Sequence, residues 1–149
     1  MSDLKETETA MFTTRSISLA GAQRVIGAAL ARAEALDCRV SLVVIDAGGN
    51  VTAMARRDGT ANTATTVALN KANTALTLHT ATDVFGKAIE ENTMLVSSLG
   101  SQPGIALIAG GLPLTAGDEV IGAIGVSGSR DGKDLLIARA GADALDPGE

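Results

Sequence analysis

The sequence contains almost no aromatic side chains. Trp and Tyr are absent, and Phe12 and Phe85 are the only aromatic residues among 149. Proteins that bind single-stranded nucleic acid stack the bases on aromatic rings, and this chain has almost no rings to offer. Its net charge of −5 also disfavours binding to a phosphate backbone or to an anionic membrane surface. We therefore expect neither nucleic acid nor a membrane as a partner.

Cysteine and histidine are equally scarce. Cys38 is the only cysteine and His79 the only histidine, which excludes an internal disulfide and any metal site built from several cysteines or histidines. No apolar run approaches the roughly 18 residues of a membrane span. The polar, acidic residues 1–10 lack the basic and apolar parts of a secretory signal. We expect no metal, and we expect a cytoplasmic location.

The residues that are abundant indicate one folded domain. Hydrophobic residues make up 46% of the chain, and 149 residues is the usual size of a single domain. We expect residues 1–15 to form a flexible N-terminal arm and residues 16–149 to form the domain.

The first half of the domain shows one helical and two strand patterns. Apolar residues from Leu19 to Leu36 recur at spacings of 3, 4 and 7, which predicts a helix. The β-branched run 39–46 predicts a strand. A glycine-rich turn follows it, and 51–57 is interpreted as the returning strand of a hairpin.

The second half of the domain shows helical patterns first, then strand patterns, and then a last helix. The segment 61–80 is interpreted as a helix whose inner face consists of alanines, followed by one or two shorter helices. Segments 104–111 and 120–128 are predicted strands, with a turn or short edge strand at 112–119, and a last helix follows. Hairpin-linked strands with grouped helices indicate an α+β fold with an antiparallel sheet.

The first candidate site is the hairpin with its two flanking segments. Asp46 ends one strand, and Arg56, Arg57 and Asp58 end the other. Arginines beside exposed backbone amides can grip a carboxylate or a phosphate. The alternative is that the arginines are solvated and that Asp58 begins a turn into the next helix.

The second candidate is a polar stripe on the long helix. Thr66, Asn70, Lys71 and Thr74 follow helical spacing. A lysine among small and apolar residues can bind an anion or, when desolvated, act as a base. It can equally extend its amine to water along its aliphatic stem.

His79 is the third candidate. A histidine titrates near neutral pH and ligates haem iron, so His79 is a candidate haem ligand or general acid/base. At a helix end it is also favoured simply by the helix dipole. Met54 and Met94 are the other side chains that could ligate a haem iron.

Two glycine-rich loops complete the candidates. Gly110 and Gly111 end a predicted strand and expose backbone amides to a ligand. The loop 128–134 resembles a phosphate-binding loop but fails the Walker pattern, because Ser127 stands at the first glycine and Asp134 at the Ser/Thr position. We therefore reject nucleoside triphosphate binding.

Four ordered motifs resemble the GlcG/HbpS family, which includes the C-terminal domain of PduO-type proteins. They are VVIDAGGNVTAMARRDGT, ALNKANTAL, GGLPL and GDEVIGAIGVSGSRDGKDLLIARAGADAL. The resemblance implies a profilin-like fold with a central antiparallel sheet of about five strands, and a homo-oligomer. Some members of this family bind or degrade haem, so haem is a candidate cofactor, although the resemblance leaves the cofactor open. It also implies a ligand pocket formed by Arg56, Lys71, Thr74, Gly110 and Gly111.

Three functions remain open at this point. The first is a protein that binds a small anionic ligand such as haem. The second is a catabolic enzyme of the tautomerase, hydratase or lyase type, in which Arg56 holds a carboxylate substrate and Lys71, His79 or Asp46 moves protons. The third is a structural or regulatory oligomer.

Overall fold

A computed structural model describes residues 9–146 of the chain. Its main elements, in chain order, are α1 (Leu19–Ala35), β1 (Ser41–Asp46), β2 (Val51–Arg56), α2 (Ala64–Leu78), α3 (Thr82–Ile89), α4 (Thr93–Gly100), β3 (Gly111–Ala116), β4 (Glu119–Ser127) and α5 (Asp134–Asp143). The predicted α+β class is confirmed.

The sheet is antiparallel throughout, with the strand order β2-β1-β4-β3. Within residues 9–146 it has four strands, so the expectation of about five was wrong. A profilin-like topology stays a prediction.

The strand predicted at 104–111 is also corrected, because regular pairing begins only at Gly111. Side chains of the helices bind the backbone before that point. Thr74 Oγ1 accepts a hydrogen bond from Ala106 N at 2.9 Å, and Thr82 Oγ1 donates to Ile108 O at 2.6 Å. These backbone groups therefore need no neighbouring strand.

Helix α2 covers one face of the sheet through its alanines. The four predicted inner-face residues, Ala64, Ala68, Ala72 and Ala75, are all buried. The helix lies so close to β4 that a Cβ on Gly125 would collide with the backbone at Ala68 O. Small residues on both elements permit this approach.

Helices α1 and α5 cover the opposite face. Ser18 begins α1 by accepting a hydrogen bond from Gly21 N at 3.0 Å, as an N-cap residue does. The core between these helices and the sheet is aliphatic and includes Val25, Leu42, Val44, Ile124, Val126 and Ile137.

The described part of the predicted arm is attached to β4. Arg15 N donates to Glu119 Oε1 at 3.0 Å, and Ile17 N donates to Ile121 O at 2.9 Å. Residues 1–8 lie outside the described residues. Within 9–146, no helix combines the length and the apolar character that crossing a membrane requires.

Candidate functional site

The side chain of Arg56 binds the loop between β2 and α2. Its guanidinium donates to Thr60 O and, at 3.0 Å, to Ala61 O, the residues that lead into α2. Two strand spacings, about 10 Å, separate it from Ser127, because Arg56 pairs with Ser41 and Ser41 pairs with Ser127.

Lys71 is buried in an ion pair. Its Nζ donates to Asp134 Oδ2 at 3.0 Å and to Val126 O at 2.8 Å, and only 1% of its side chain is exposed. Asp134 Oδ1 accepts a third hydrogen bond, from Ser129 N at 3.0 Å. These contacts join α2, the end of β4 and the start of α5.

Gly110 and Gly111 adjoin Lys71, as the resemblance implied, but the space beside them is filled. A Cβ on Gly110 would lie 2.9 Å from Lys71 Nζ and 3.0 Å from Asp134 Cβ. A Cβ on Gly111 would lie 2.6 Å from Thr82 Cγ2 and would collide with Lys71 O.

Thr74 is committed to the backbone of the segment before β3. Its hydroxyl contacts Gly104 O at 3.2 Å as well as Ala106 N. The structure thus brings together Lys71, Gly110 and Gly111, and it leaves Arg56 on another element. A ligand role for these five residues stays a prediction, and the expected convergence of Arg56 with Lys71 on a hollow is not what these contacts show.

Asp46 is occupied within the β1–β2 hairpin. Its Oδ1 accepts hydrogen bonds from Gly48 N and Asn50 N, each at 2.9 Å, and from Asn50 Nδ2 at 3.1 Å. This arrangement is that of an Asx turn, in which the carboxylate shapes the loop.

A surface depression of about 820 Å³ lies at the hairpin end of the sheet; we call it the hairpin-end depression. Five segments surround it: the chain before α1 at Thr14, the hairpin tip, the last turns of α2, the loop before β3 and the β3–β4 turn. Its lining comprises Thr14, Ala47, Gly48, Gly49, Asn73, Leu76, Thr77, His79, Pro103, Gly104, Ile105, Asp118, Glu119 and Val120.

His79 enters this depression because α2 ends there. It is the C-cap residue, with φ of 53° and ψ of 35°, a left-handed conformation that commonly terminates helices. His79 is exposed. Lys71 lies more than two turns earlier, about 12 Å along the helix axis, so these two predicted proton-transfer residues do not form a set.

The rim formed by the β3–β4 turn is acidic. Asp118 and Glu119 line it, and no lysine or arginine does. Arg15 neutralises Glu119 with an Nε–Oε2 contact of 2.5 Å. The hydrogen bond from the Arg15 amide, followed by that from its guanidinium, lowers the pKa of Glu119.

Two other depressions lie elsewhere on the surface. One, of about 880 Å³, is bounded by α1, β3 and the end of α5 and includes Arg24 and Asp143. The other, of about 250 Å³, lies beside the loop that begins α5 and includes Arg39 and Arg130. Across residues 9–146, no group of three or more metal-ligating His, Cys, Asp or Glu side chains occurs.

A family model for the haem-degrading protein HbpS and similar proteins matches residues 17–143. The chain belongs to the HbpS-like family. The match spans all of the elements described above, from α1 to α5, which confirms the resemblance noted in the sequence.

Individual relatives agree with this HbpS-like assignment. An uncharacterized 15.0 kDa protein from the dhaT-dhaS intergenic region of Citrobacter freundii is 36% identical over 131 residues, which cover 87% of this chain and 92% of the relative. A double mutant of HbpS from Streptomyces reticuli has a TM-score of 0.82 at 31% identity, covering 91% of both chains. A PduOC–haem complex has a TM-score of 0.79 at 27% identity, covering 87% of this chain and 94% of that one.

Sequence reasoning missed most of the hairpin-end depression. Its lining from the loop before β3, residues 103–105, and from the β3–β4 turn, residues 118–120, carried no local signal. Only the approach of five segments that are separate in the sequence makes them neighbours of His79.

Proposed function

We propose that this HbpS-like chain binds haem, or a similar small anionic ligand, in the hairpin-end depression, with His79 as the ligand of the iron. The observation that carries the proposal is the position of the single imidazole of the chain at this depression. The fold shared with a PduOC–haem complex supports it.

The lining fits a porphyrin in two respects. Leu76, Pro103, Ile105 and Val120 supply apolar surface for the ring. The volume of about 820 Å³ falls within the range of roughly 300–1,000 Å³ usual for ligand sites.

The charges at the rim would favour one orientation of such a ligand. The haem propionates are anionic, and Asp118 would repel them, whereas Arg15 already compensates Glu119. We propose that the propionates point away from Asp118 toward solvent. Asn73 and Thr77 offer polar groups along the α2 wall.

The protein's part is to hold and orient the ligand. His79, at the end of α2, would hold the iron, and the apolar side chains of the lining would exclude water from the bound ligand. Bound haem supplies iron-centred redox chemistry and strong visible absorption.

A haem titration followed by visible absorption tests the proposal. The wild-type protein is expected to give a saturable Soret band, and His79→Ala is expected to lose the ligated spectrum. Added imidazole should restore the ligated spectrum of His79→Ala, because free imidazole can replace the missing side chain as the ligand of the iron.

Met94→Ala and Met54→Ala serve as matched controls, because both methionines are candidate iron ligands on other surfaces. They should titrate as the wild type does. Equal spectra and affinity for wild type and His79→Ala would refute the proposed site.

The enzyme hypothesis receives less support from these contacts. Of its three proton-transfer residues, Lys71 is buried in an ion pair and Asp46 is bound within its hairpin. Only His79 is both exposed and placed at the depression.

We also propose that the chain forms a homo-oligomer. Helix α4 has no buried residue, although it carries Met94, Leu95, Val96 and Leu99. Helices shorter than about 12 residues are marginal in water without tertiary packing. Cover from a second copy of the chain would stabilise it. A cytoplasmic location stays an expectation from the sequence.

A further inference from the structure

The loop that begins α5 carries a concentration of positive charge in an acidic chain. The depression of about 250 Å³ beside it is lined by Arg39, Arg130 and Lys133, together with Asp37 and Asp131. Its remaining lining residues are Leu36, Cys38, Gly128 and Ser129. We call it the α5-loop depression.

Both acidic residues of this depression are already compensated. Asp131 Oδ2 lies 3.7 Å from Lys133 Nζ, and Asp37 Oδ1 lies 4.0 Å from Arg57 Nη1. Arg57 does not line the depression, so the charge of Asp37 is compensated by a residue outside the depression.

Arg39 and Arg130 therefore remain as guanidiniums without a carboxylate. Neither side chain has an ion pair or a hydrogen bond to any residue between 9 and 146. One precedes β1 and the other follows β4, and these two strands are neighbours that pair through Ser41 and Ser127. An anion in the depression could accept hydrogen bonds from both arginines.

Ser129 adds an unused hydroxyl to the same lining. Its Oγ is buried and has no hydrogen-bond partner, which is unusual because buried polar atoms are nearly always paired. Its amide is held by Asp134 Oδ1, and Asp134 is held by Lys71. The buried ion pair thus fixes the position of Ser129.

From these contacts we propose that the α5-loop depression is a binding site for a phosphate-type oxyanion. A tetrahedral oxyanion accepts hydrogen bonds from several directions, which suits a lining that contains two arginines without a carboxylate and a serine hydroxyl without a partner. The N-terminus of the ten-residue α5 adds the positive end of its dipole.

The size of the depression limits the ligand. Its volume of about 250 Å³ is below the range of roughly 300–1,000 Å³ of ordinary ligand pockets. It suits inorganic phosphate or the phosphoryl end of a phosphomonoester, and it agrees with the rejection of nucleoside triphosphates on the Walker pattern.

This site is separate from the proposed haem site. Arg39 precedes β1 and the hairpin tip follows it, so the length of that strand, about 20 Å, separates the two depressions. His79→Ala should therefore leave oxyanion binding unchanged. The proposals of a haem site and of an oxyanion site can each fail without affecting the other.

Amide NMR of the full chain, titrated with sodium phosphate at constant ionic strength, tests the proposal. Saturable shifts of the amides of residues 129–133 are expected, with chloride giving none. Arg130→Ala and Arg39→Ala should each weaken binding about tenfold or more, since a hydrogen bond to a charged group is lost. Ser129→Ala should weaken it as well.

Arg24→Ala is the matched control, because this exposed arginine lines the depression between α1 and β3. It should bind phosphate as the wild type does. Non-saturating shifts, or equal affinity in Arg130→Ala, would overturn the proposal, and the same spectra report whether each variant is folded. If glycerol 3-phosphate binds more tightly than phosphate, the ligand of the site is a phosphomonoester. If it binds equally or more weakly, the ligand is the free phosphate ion.

Discussion

At the scale of single residues, Lys71 makes buried contacts that are expected to stabilise the fold. Its amine is buried against Asp134 and Val126. Removing one partner of a buried ion pair leaves an uncompensated charge, which costs more than losing both.

Lys71→Met is therefore expected to lower the free energy of unfolding by about 3–5 kcal/mol. The double variant Lys71→Met/Asp134→Asn should lose less than Lys71→Met alone, because no buried charge is left unpaired. Denaturant unfolding measures both. Lys133→Met, which removes an exposed pair with Asp131, is the control and should change stability by less than about 1 kcal/mol.

If Lys71→Met unfolded at the same denaturant concentration as the wild type, the ion pair would contribute nothing to the free energy of unfolding. Lys71 would then be available again as a ligand-binding residue.

Glu119 is expected to make the stability of the folded state depend on pH. Its pKa is lowered by the hydrogen bonds from the Arg15 amide and guanidinium. A carboxylate with a lowered pKa stabilises the folded state above its unfolded pKa, and that contribution is lost as the pH falls through the folded pKa.

Glu119→Gln should therefore be less stable than the wild type at neutral pH, and the difference should shrink as the solution is acidified below the ordinary range of a glutamate. Thermal unfolding across pH measures this. Glu91→Gln, at an exposed residue, should show no such trend. A constant difference at all pH values would contradict the lowered pKa.

At the scale of elements, the close approach of α2 to β4 depends on Gly125. A Cβ there would collide with Ala68 O and lie 2.7 Å from Ala72 N. Both neighbours are backbone atoms of a packed helix, so the helix itself would have to move.

Gly125→Ala is expected to lower the free energy of unfolding by at least about 1–3 kcal/mol, as overpacking does. Gly27→Ala is the matched control, because a Cβ at Gly27 on α1 would meet nothing within 4 Å. That variant should gain about 0.5–1 kcal/mol from helix propensity. Equal stability of the two variants would show that α2 is not held by this contact.

Helix α4 carries the prediction about assembly. The side chain of Met94 is 80% exposed, and a charge at that position would oppose cover by a second copy. Met94→Glu should shift the chain toward a smaller mass in light scattering, and Ser97→Glu on the same helix should shift it less. An unchanged mass for Met94→Glu would place the interface elsewhere.

The elements that could be predicted from the sequence are those whose pattern is local. The alanine face of α2 and the glycine turn between β1 and β2 follow from residues a few positions apart. The segment 104–110 could not be predicted, because its apolar run is typical of a strand. In the structure the amide of Ala106 binds the hydroxyl of Thr74, 32 positions away in the sequence, and not a neighbouring strand.

The candidate site was predictable only in part for the same reason. His79 was a candidate because it is unique in the sequence, and the structure places it at the hairpin-end depression, while its role stays a prediction. The partner of Lys71 could not be found, since Asp134 lies 63 positions away and only the folded chain brings the two together.

At the scale of the whole molecule, the sheet separates two regions of opposite charge. The hairpin end has an acidic rim formed by Asp118 and Glu119, and the α5 end presents Arg39 and Arg130. If both proposals hold, this division would keep the haem site and the oxyanion site of one small domain apart.

The central claim is that haem binds at the hairpin end through His79. Amide NMR with gallium protoporphyrin, a diamagnetic substitute for haem, locates the ligand directly on the wild-type chain. The largest shifts are predicted at residues 47–49, 73–79, 103–105 and 118–120, and they should be absent from 128–133. Shifts confined to another depression, with the amide of His79 unmoved, would contradict the claim.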